Sequence, residues 1–403
     1  MKKIKYVQIL IIAGLTLAMS VTSFAEGKPQ HPFAPDIGQA WSEIDPAAVY
    51  PDFEYAGLTP ACAACPGCDP QFTFFVKGGN TNNLVIYFQG GGACWDSMNC
   101  LYYHTYNEEV LSIDEFDDPE GRGIFDTKNA ANPFKDWYFV FIPYCTGDIH
   151  WGAQDTAYPD YLDMVPGDEW TIQHRGFVNF QVVLQWITDN FTSPVRIFVT
   201  GSSAGGYGAI MGFPYIREAF PMSRVSVLGD AANGIIGEDF QNSSIFNWNI
   251  QIPTWIPDFQ GGYIPGMTMA DVYTGIADYY SQSKLAQFTA AWDWNQTFFY
   301  YVMLNIYDPG SWGTGWPAAW FDWNAQMLGY AYETALDAPN YRYYIAEGDY
   351  HTIMLSPTFY EEDSAGLSFA KWVKAMINTP RGAWMRDKGK WQNLEATDPS
   401  PVP

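Results

Sequence analysis

The apolar positions of this chain come in two rhythms. Short, mostly apolar runs at Leu84–Phe88, Trp137–Ile142, Val195–Thr200, Arg224–Leu228 and Tyr341–Ala346 have the length and β-branched or aromatic content of buried strands. Between them apolar residues recur at helical spacing. Phe177, Phe180, Val183, Leu184 and Ile187 predict a helix over Gly176–Phe191. A second helix is expected after the glycine-rich stretch that follows Thr200, ending near Phe220, and a third, amphipathic one over Glu361–Asn378. Strands alternating with helices predict an α/β fold, a mostly parallel sheet with helices on both faces. Residues 26–67, rich in Pro, Ala and acids, read as an irregular lead-in. Residues 234–337 break the rhythm: they are rich in Trp, Pro and Asn with few clear strands, and are expected as an aromatic-rich insertion, a cap or a long crossover, within a single domain over 26–403.

The first residues follow a different logic. Lys2, Lys3 and Lys5 precede an apolar run from Ile9 to Met19 and then Ser23-Phe24-Ala25. This is the pattern of a signal peptide over 1–25 with cleavage near Ala25. The run is short of the roughly 20 residues that span a bilayer, and no stable membrane anchor is expected. The expected location is therefore periplasmic or extracellular, where disulfides form.

Composition narrows the function. Twenty Lys+Arg stand against 44 Asp+Glu, a net charge of -24. Removal of residues 1–25 takes away three lysines and no acid, so the mature charge is -27. A chain of this charge lacks the basic face that neutralises phosphates, which excludes nucleic acid as a partner. Aromatic residues make up 18% of the chain, enough to furnish a ring-lined cleft as well as a core. Six cysteines, Cys62, Cys65, Cys68, Cys94, Cys100 and Cys145, favour disulfides in an exported chain. Cys94 and Cys100 are close enough to close a small loop, and the other four allow three pairings. A metal or iron–sulfur site on the Cys62–Cys68 triplet is the weaker reading, since its fourth ligand would have to come from afar.

Gly201-Ser202-Ser203-Ala204-Gly205 carries the G-x-S-x-G pattern, with a β-branched strand before it and a helical pattern after it. That context is the nucleophile elbow, a sharp strand-to-helix turn that exposes a serine Oγ and needs small neighbours on both sides. Ser203 is the candidate nucleophile; Ser202 does not fit the frame. Acyl transfer needs N–H donors for the oxyanion. Ala204 supplies one, and Gln89-Gly90-Gly91-Gly92, after an earlier strand, is placed to supply others. In the α/β-hydrolase order of serine, acid, histidine, only His351 of the five histidines follows Ser203. His150 precedes it and reads as structural or substrate-lining. For the acid, the residues alone leave Asp230 and Asp293 open, with Asp308, Asp322, Asp337 and Asp349 also in the interval.

Gln89–Trp95, Pro143–His150 and Gly201–Ala209, continued through Asp230, Trp292–Gln296 and Gly348–His351, resemble the pectin acetylesterase/Notum family. The resemblance implies an α/β-hydrolase-like fold, a secreted serine carboxylesterase and no metal or other cofactor. It implies Ser203 as nucleophile, His351 as base and Asp293 as acid, with oxyanion donors at Gly91, Gly92 and Ala204. Trp95, Asp148, His150 and Asp230 are then expected around the pocket. The expected reaction is a two-step hydrolysis that removes O-acetyl groups from a polysaccharide. A lipid-type or polyester hydrolase for longer acyl chains is the alternative, and a non-catalytic carbohydrate-binding protein a remote one. The acidity of the chain works against de-esterified polygalacturonate, because like charges slow encounter.

Overall fold

The structure is a computed structural model and describes residues 35–110, 122–160, 167–237, 240, 245–379 and 391–397. The expected signal peptide lies outside the described residues. Nine strands form one sheet: β1 (Trp41–Ile44), β2 (Phe74–Lys77), β3 (Asn83–Phe88), β4 (Tyr138–Ile142), β7 (Arg196–Ser202), β8 (Arg224–Asp230), β9 (Lys284–Ala290), β10 (Tyr341–Ala346) and β11 (Leu394–Glu395). Two more, β5 (Gln154–Pro159) and β6 (Glu169–His174), make a separate antiparallel hairpin. The sheet order is β1-β2-β4-β3-β7-β8-β9-β10-β11. The β1/β2 and β2/β4 pairs are antiparallel and every later pair is parallel.

Alternation along β3 explains the layering. Leu84, Ile86 and Phe88 enter one apolar layer with Phe180 of helix Gly176–Asn190, Phe213 of helix Ala204–Ala219 and Val272 of helix Met269–Tyr279. Val85 and Tyr87 enter the opposite layer, with Trp372 and Val373 of helix Phe369–Asn378. Both faces of the sheet are thus covered, as a parallel sheet requires. This is the expected α/β-hydrolase-like architecture.

Three local expectations are corrected. The lead-in 26–67 contributes β1 to the sheet edge; its Trp41 is buried while Ser42 and Glu43 are exposed, so it reads as polar in sequence. The stretch 234–337 is not wholly outside the sheet, since β9 lies near its middle and pairs with β8 and β10. The closing helix is two pieces, Thr358–Glu361 and Phe369–Asn378. The cysteines pair as Cys62–Cys145, Cys65–Cys68 and Cys94–Cys100, which selects one of the three pairings left open. Among the described residues no helix is long and apolar enough to cross a membrane.

Candidate active site

The carboxyl ends of β3, β7, β8, β9 and β10 converge on one edge of the sheet, where open parallel sheets bind ligands. Each strand delivers one part: the glycine loop after Phe88, Ser203 after Ser202, Asp230 at the end of β8, Asp293 three residues past β9 and His351 five residues past β10.

Ser203 is the turn between β7 and helix Ala204–Ala219, with φ 56° and ψ -126°. Positive φ costs energy for any residue with a Cβ, so the turn must be held. Its N–H donates to the Asp230 carbonyl at 2.7 Å, and its carbonyl accepts from Gly206 N–H at 2.8 Å. The flanking glycines are steric necessities. A Cβ on Gly205 would press into the Phe88 backbone carbonyl, and one on Gly201 would stand 2.5 Å from the carbonyl carbon of Gly205.

The glycine loop is pinned from two sides. Gly91 carbonyl accepts from Asn107 N–H at 2.8 Å, and Ala93 N–H donates to Thr105 carbonyl at 3.2 Å. Gly92 has φ 77°, and a Cβ there would collide with the Thr105 carbonyl. Among the described residues, the N–H groups of Gly91, Gly92 and Ala204 donate to no protein acceptor.

His351 and Asp293 form a pair: Nδ1 lies 2.8 and 2.9 Å from the two carboxylate oxygens. The Asp293 carboxylate is fully buried and also accepts from Asn295 N–H, Gln296 N–H and Gln296 Nε2, so Asp293 is also the N-cap of helix Trp294–Leu304. Asp322, another carboxylate of the interval, is engaged by Tyr300 O–H. Nδ1 faces a carboxylate and therefore carries the proton in neutral His351, which leaves Nε2 as an acceptor. Among the described residues, Nε2 is buried without a hydrogen-bond partner. Burial pulls the pKa of His351 down, but the charge and hydrogen bond of Asp293 and the charge of Asp230 outweigh it, and the net shift is upward.

Ser203 and His351 border two spaces. One is an apolar cavity of about 90 Å³, walled by Trp95, Trp151, Tyr207, Phe240, Trp248 and Phe299. The other is a wider, more open cleft bounded by the glycine loop, Asn107, Trp294, Phe298 and Trp316. Trp294 is 43% exposed, and its ring centroid is 6.2 Å from that of Trp316.

Of the residues expected around the pocket, Trp95 is in the cavity wall. Asp148, His150 and Asp230 are not: they lie behind it, where buried polar side chains are consumed by backbone groups. His150 Nε2 donates to Gln89 carbonyl at 2.9 Å, and burial lowers its pKa to about 4, so the ring is neutral and props the glycine loop. Asp148 accepts from Thr146 O–H at 2.6 Å, His150 N–H at 3.1 Å and Gly176 N–H at 2.7 Å, tying that prop to the first residue of helix Gly176–Asn190. Burial raises its pKa to about 6. Sequence reasoning missed Phe240, Trp248, Tyr207 and Phe299 as cavity residues; nothing in a ring's local pattern separates a lining position from a core one.

Residues 60–249 match the family model described as Pectinacetylesterase. This span holds the glycine loop and Ser203, while Asp293 and His351 lie beyond it. Curated relatives include the human palmitoleoyl-protein carboxylesterase NOTUM, 23% identical over 176 residues, covering 41% of this chain and 33% of that protein. Pectin acetylesterase 11 of Arabidopsis thaliana is 23% identical over 182 residues, 44% of each chain. Pectin acetylesterase 4 of the same plant is 26% identical over 151 residues, 36% of this chain and 34% of that protein. The matched stretches span between a third and under half the length of these relatives.

Proposed function

With residues 60–249 belonging to the pectinacetylesterase family, we propose that this chain is an exported serine carboxylester hydrolase. One observation carries the reading. A histidine locked to a buried carboxylate through Nδ1 lines the same cavity as a serine at a strained strand-to-helix turn; among the described residues its Nε2 has no partner, and the N–H groups of Gly91, Gly92 and Ala204 donate to no protein acceptor. In the reaction, Ser203 Oγ adds to the ester carbonyl while its proton passes to His351 Nε2. Asp293 holds the imidazole in that tautomer and stabilises the imidazolium. Gly91, Gly92 and Ala204 N–H groups stabilise the oxyanion, an effect of about 10²–10³ per donor. His351 then protonates the leaving alcohol, and water attacks the acyl-enzyme by the reverse proton path. The disulfides fit the oxidising compartment to which the expected signal peptide leads.

The substrate we propose first is an O-acetylated polysaccharide, in line with the pectin acetylesterases among the relatives. The open cleft suits the alcohol side, since the exposed Trp294 and the half-buried Trp316 beside Asn107 and Asn295 offer a sugar both stacking and hydrogen bonds. The apolar lining of the cavity favours a second reading, a longer acyl chain. Each further buried methylene is worth about 0.8 kcal/mol, or roughly fourfold in kcat/KM. A series of nitrophenyl esters from acetate to decanoate separates the readings: kcat/KM rising about tenfold or more from C2 to C6 assigns longer chains, and a maximum at acetate assigns acetyl. No hydrolysis anywhere in the series, with no labelling by a fluorophosphonate, would sink the esterase reading.

The pH profile follows from the His351 shift. The base works only when neutral, so activity is lost as pH falls through its raised pKa. The acid limb of kcat/KM is expected above the ordinary histidine value of about 6.5. A limb centred below 6.5 would contradict the Asp293–His351 coupling.

A further inference from the structure

Asp230 is an aspartate the reaction above does not use, yet its connections run to both sides of the reacting pair. It is fully buried. One carboxylate oxygen accepts from Ser202 O–H at 2.5 Å, beside the nucleophile. The same carboxylate accepts from Ile353 N–H at 3.0 and 3.1 Å and Met354 N–H at 2.9 Å, in the loop that carries His351. Its backbone carbonyl takes the Ser203 N–H. Tyr87 O–H donates to Ser202 Oγ at 2.8 Å, fixing which way the Ser202 hydroxyl points. The loop needs this hold, because Thr352, directly after the histidine, has φ 65°.

We propose that Asp230 is a positioning residue which locks Ser203 and His351 into one frame, through Ser202 on one side and the Ile353 and Met354 amides on the other. It touches no reacting atom. The nucleophile and the base come from strands β7 and β10, which are not neighbours, and β8 is the strand whose end reaches both. A frame built from three hydrogen-bonded points resists the shift of about 1 Å that costs roughly 10²-fold in rate. The carboxylate also adds negative charge near the imidazole. The titratable groups around Asp230 are Ser202-linked Tyr87 on β3 and Tyr350 and His351 after β10; those acting on His351 are Asp293 and Asp230.

This rests on the serine esterase reading, which wild-type hydrolysis of nitrophenyl acetate and fluorophosphonate labelling test first. Given an active wild type, Asp230→Asn should keep the fold, lower kcat by about 10²-fold with little change in KM, and move the acid limb of kcat/KM to lower pH, since one charge that raises the His351 pKa is gone. A merely structural residue would not move that limb. Ser202→Ala cuts only the nucleophile side. It should slow fluorophosphonate labelling and lower kcat by about tenfold, with the acid limb in place, and it serves if Asp230→Asn does not fold. Wild-type kcat and an unmoved limb in folded Asp230→Asn, or wild-type kcat and labelling in Ser202→Ala, would overturn the proposal.

Discussion

Ser203→Ala is expected to lower kcat by about 10⁶-fold while leaving the melting temperature within a few degrees of wild type. The size follows from what the hydroxyl does: without it no acyl-enzyme forms, and the residual rate comes from the N–H donors and substrate binding alone. The fold is expected to survive because the turn is held by its backbone. Ser203 N–H donates to Asp230 carbonyl and Ser203 carbonyl accepts from Gly206 N–H, and both bonds persist with alanine. The measurement is steady-state hydrolysis of a nitrophenyl ester together with fluorophosphonate labelling. Continued labelling of the variant would move the nucleophile elsewhere, Ser202 being the nearest hydroxyl.

Asp293→Asn should cost about 10⁴-fold in kcat, the amount a lost tautomer lock brings in serine hydrolases. An asparagine can turn its NH2 toward His351 Nδ1, which then becomes the acceptor and puts the proton on Nε2, where it blocks uptake from Ser203. Stability should fall less dramatically. Asparagine is as good an N-cap as aspartate, so helix Trp294–Leu304 keeps its start. One of the buried donors now on the carboxylate, from Asn295, Gln296 and His351, loses its acceptor, which costs about 1–3 kcal/mol. Activity against melting temperature separates the two effects. A fall of less than tenfold in kcat would remove Asp293 as the acid.

The strands that could be read from sequence were those whose surroundings are uniformly apolar. β3, β4 and β7 pack between two layers and look it. β9 was missed for the opposite reason. Its sequence Lys284-Leu285-Ala286-Gln287-Phe288-Thr289-Ala290 carries three polar residues, and all seven positions are buried. Each polar side chain finds a partner outside the strand, and those of Lys284 and Gln287 lie more than 50 residues away. Lys284 Nζ donates to carbonyls of Met376 and Thr379, where helix Phe369–Asn378 ends. Gln287 accepts from Tyr341 O–H at 2.5 Å, and Thr289 Oγ1 accepts from Gln296 Nε2 at 3.0 Å. A local pattern holds no trace of such partners, so the strand resembled a loop.

The same division runs through the site. Ser203 and the glycine loop are short-range motifs and announce themselves, because steric demands at a turn fall on adjacent residues. His351 followed from order along the chain, and the pairing with Asp293 rather than Asp230 required the family resemblance. Geometry now separates the two aspartates by what each oxygen accepts: Asp293 meets the imidazole, and Asp230 meets backbone amides and Ser202 O–H. Asp148 and His150 sit in a conspicuous motif, yet they support the glycine loop from behind the cavity wall.

The sheet order gives activity a place in the history of the chain. Asp230 and Ile353, hydrogen-bonded in the folded protein, stand 123 residues apart, and the intervening sequence supplies both β9 and β10. Closing so long a loop delivers no contact at the site until both strands have docked. On the proposed reading, catalytic competence therefore waits on β9 and β10: during refolding, ester hydrolysis should return only once both strands have docked, and a nascent chain carrying Ser203 but not yet β10 is expected to be inactive.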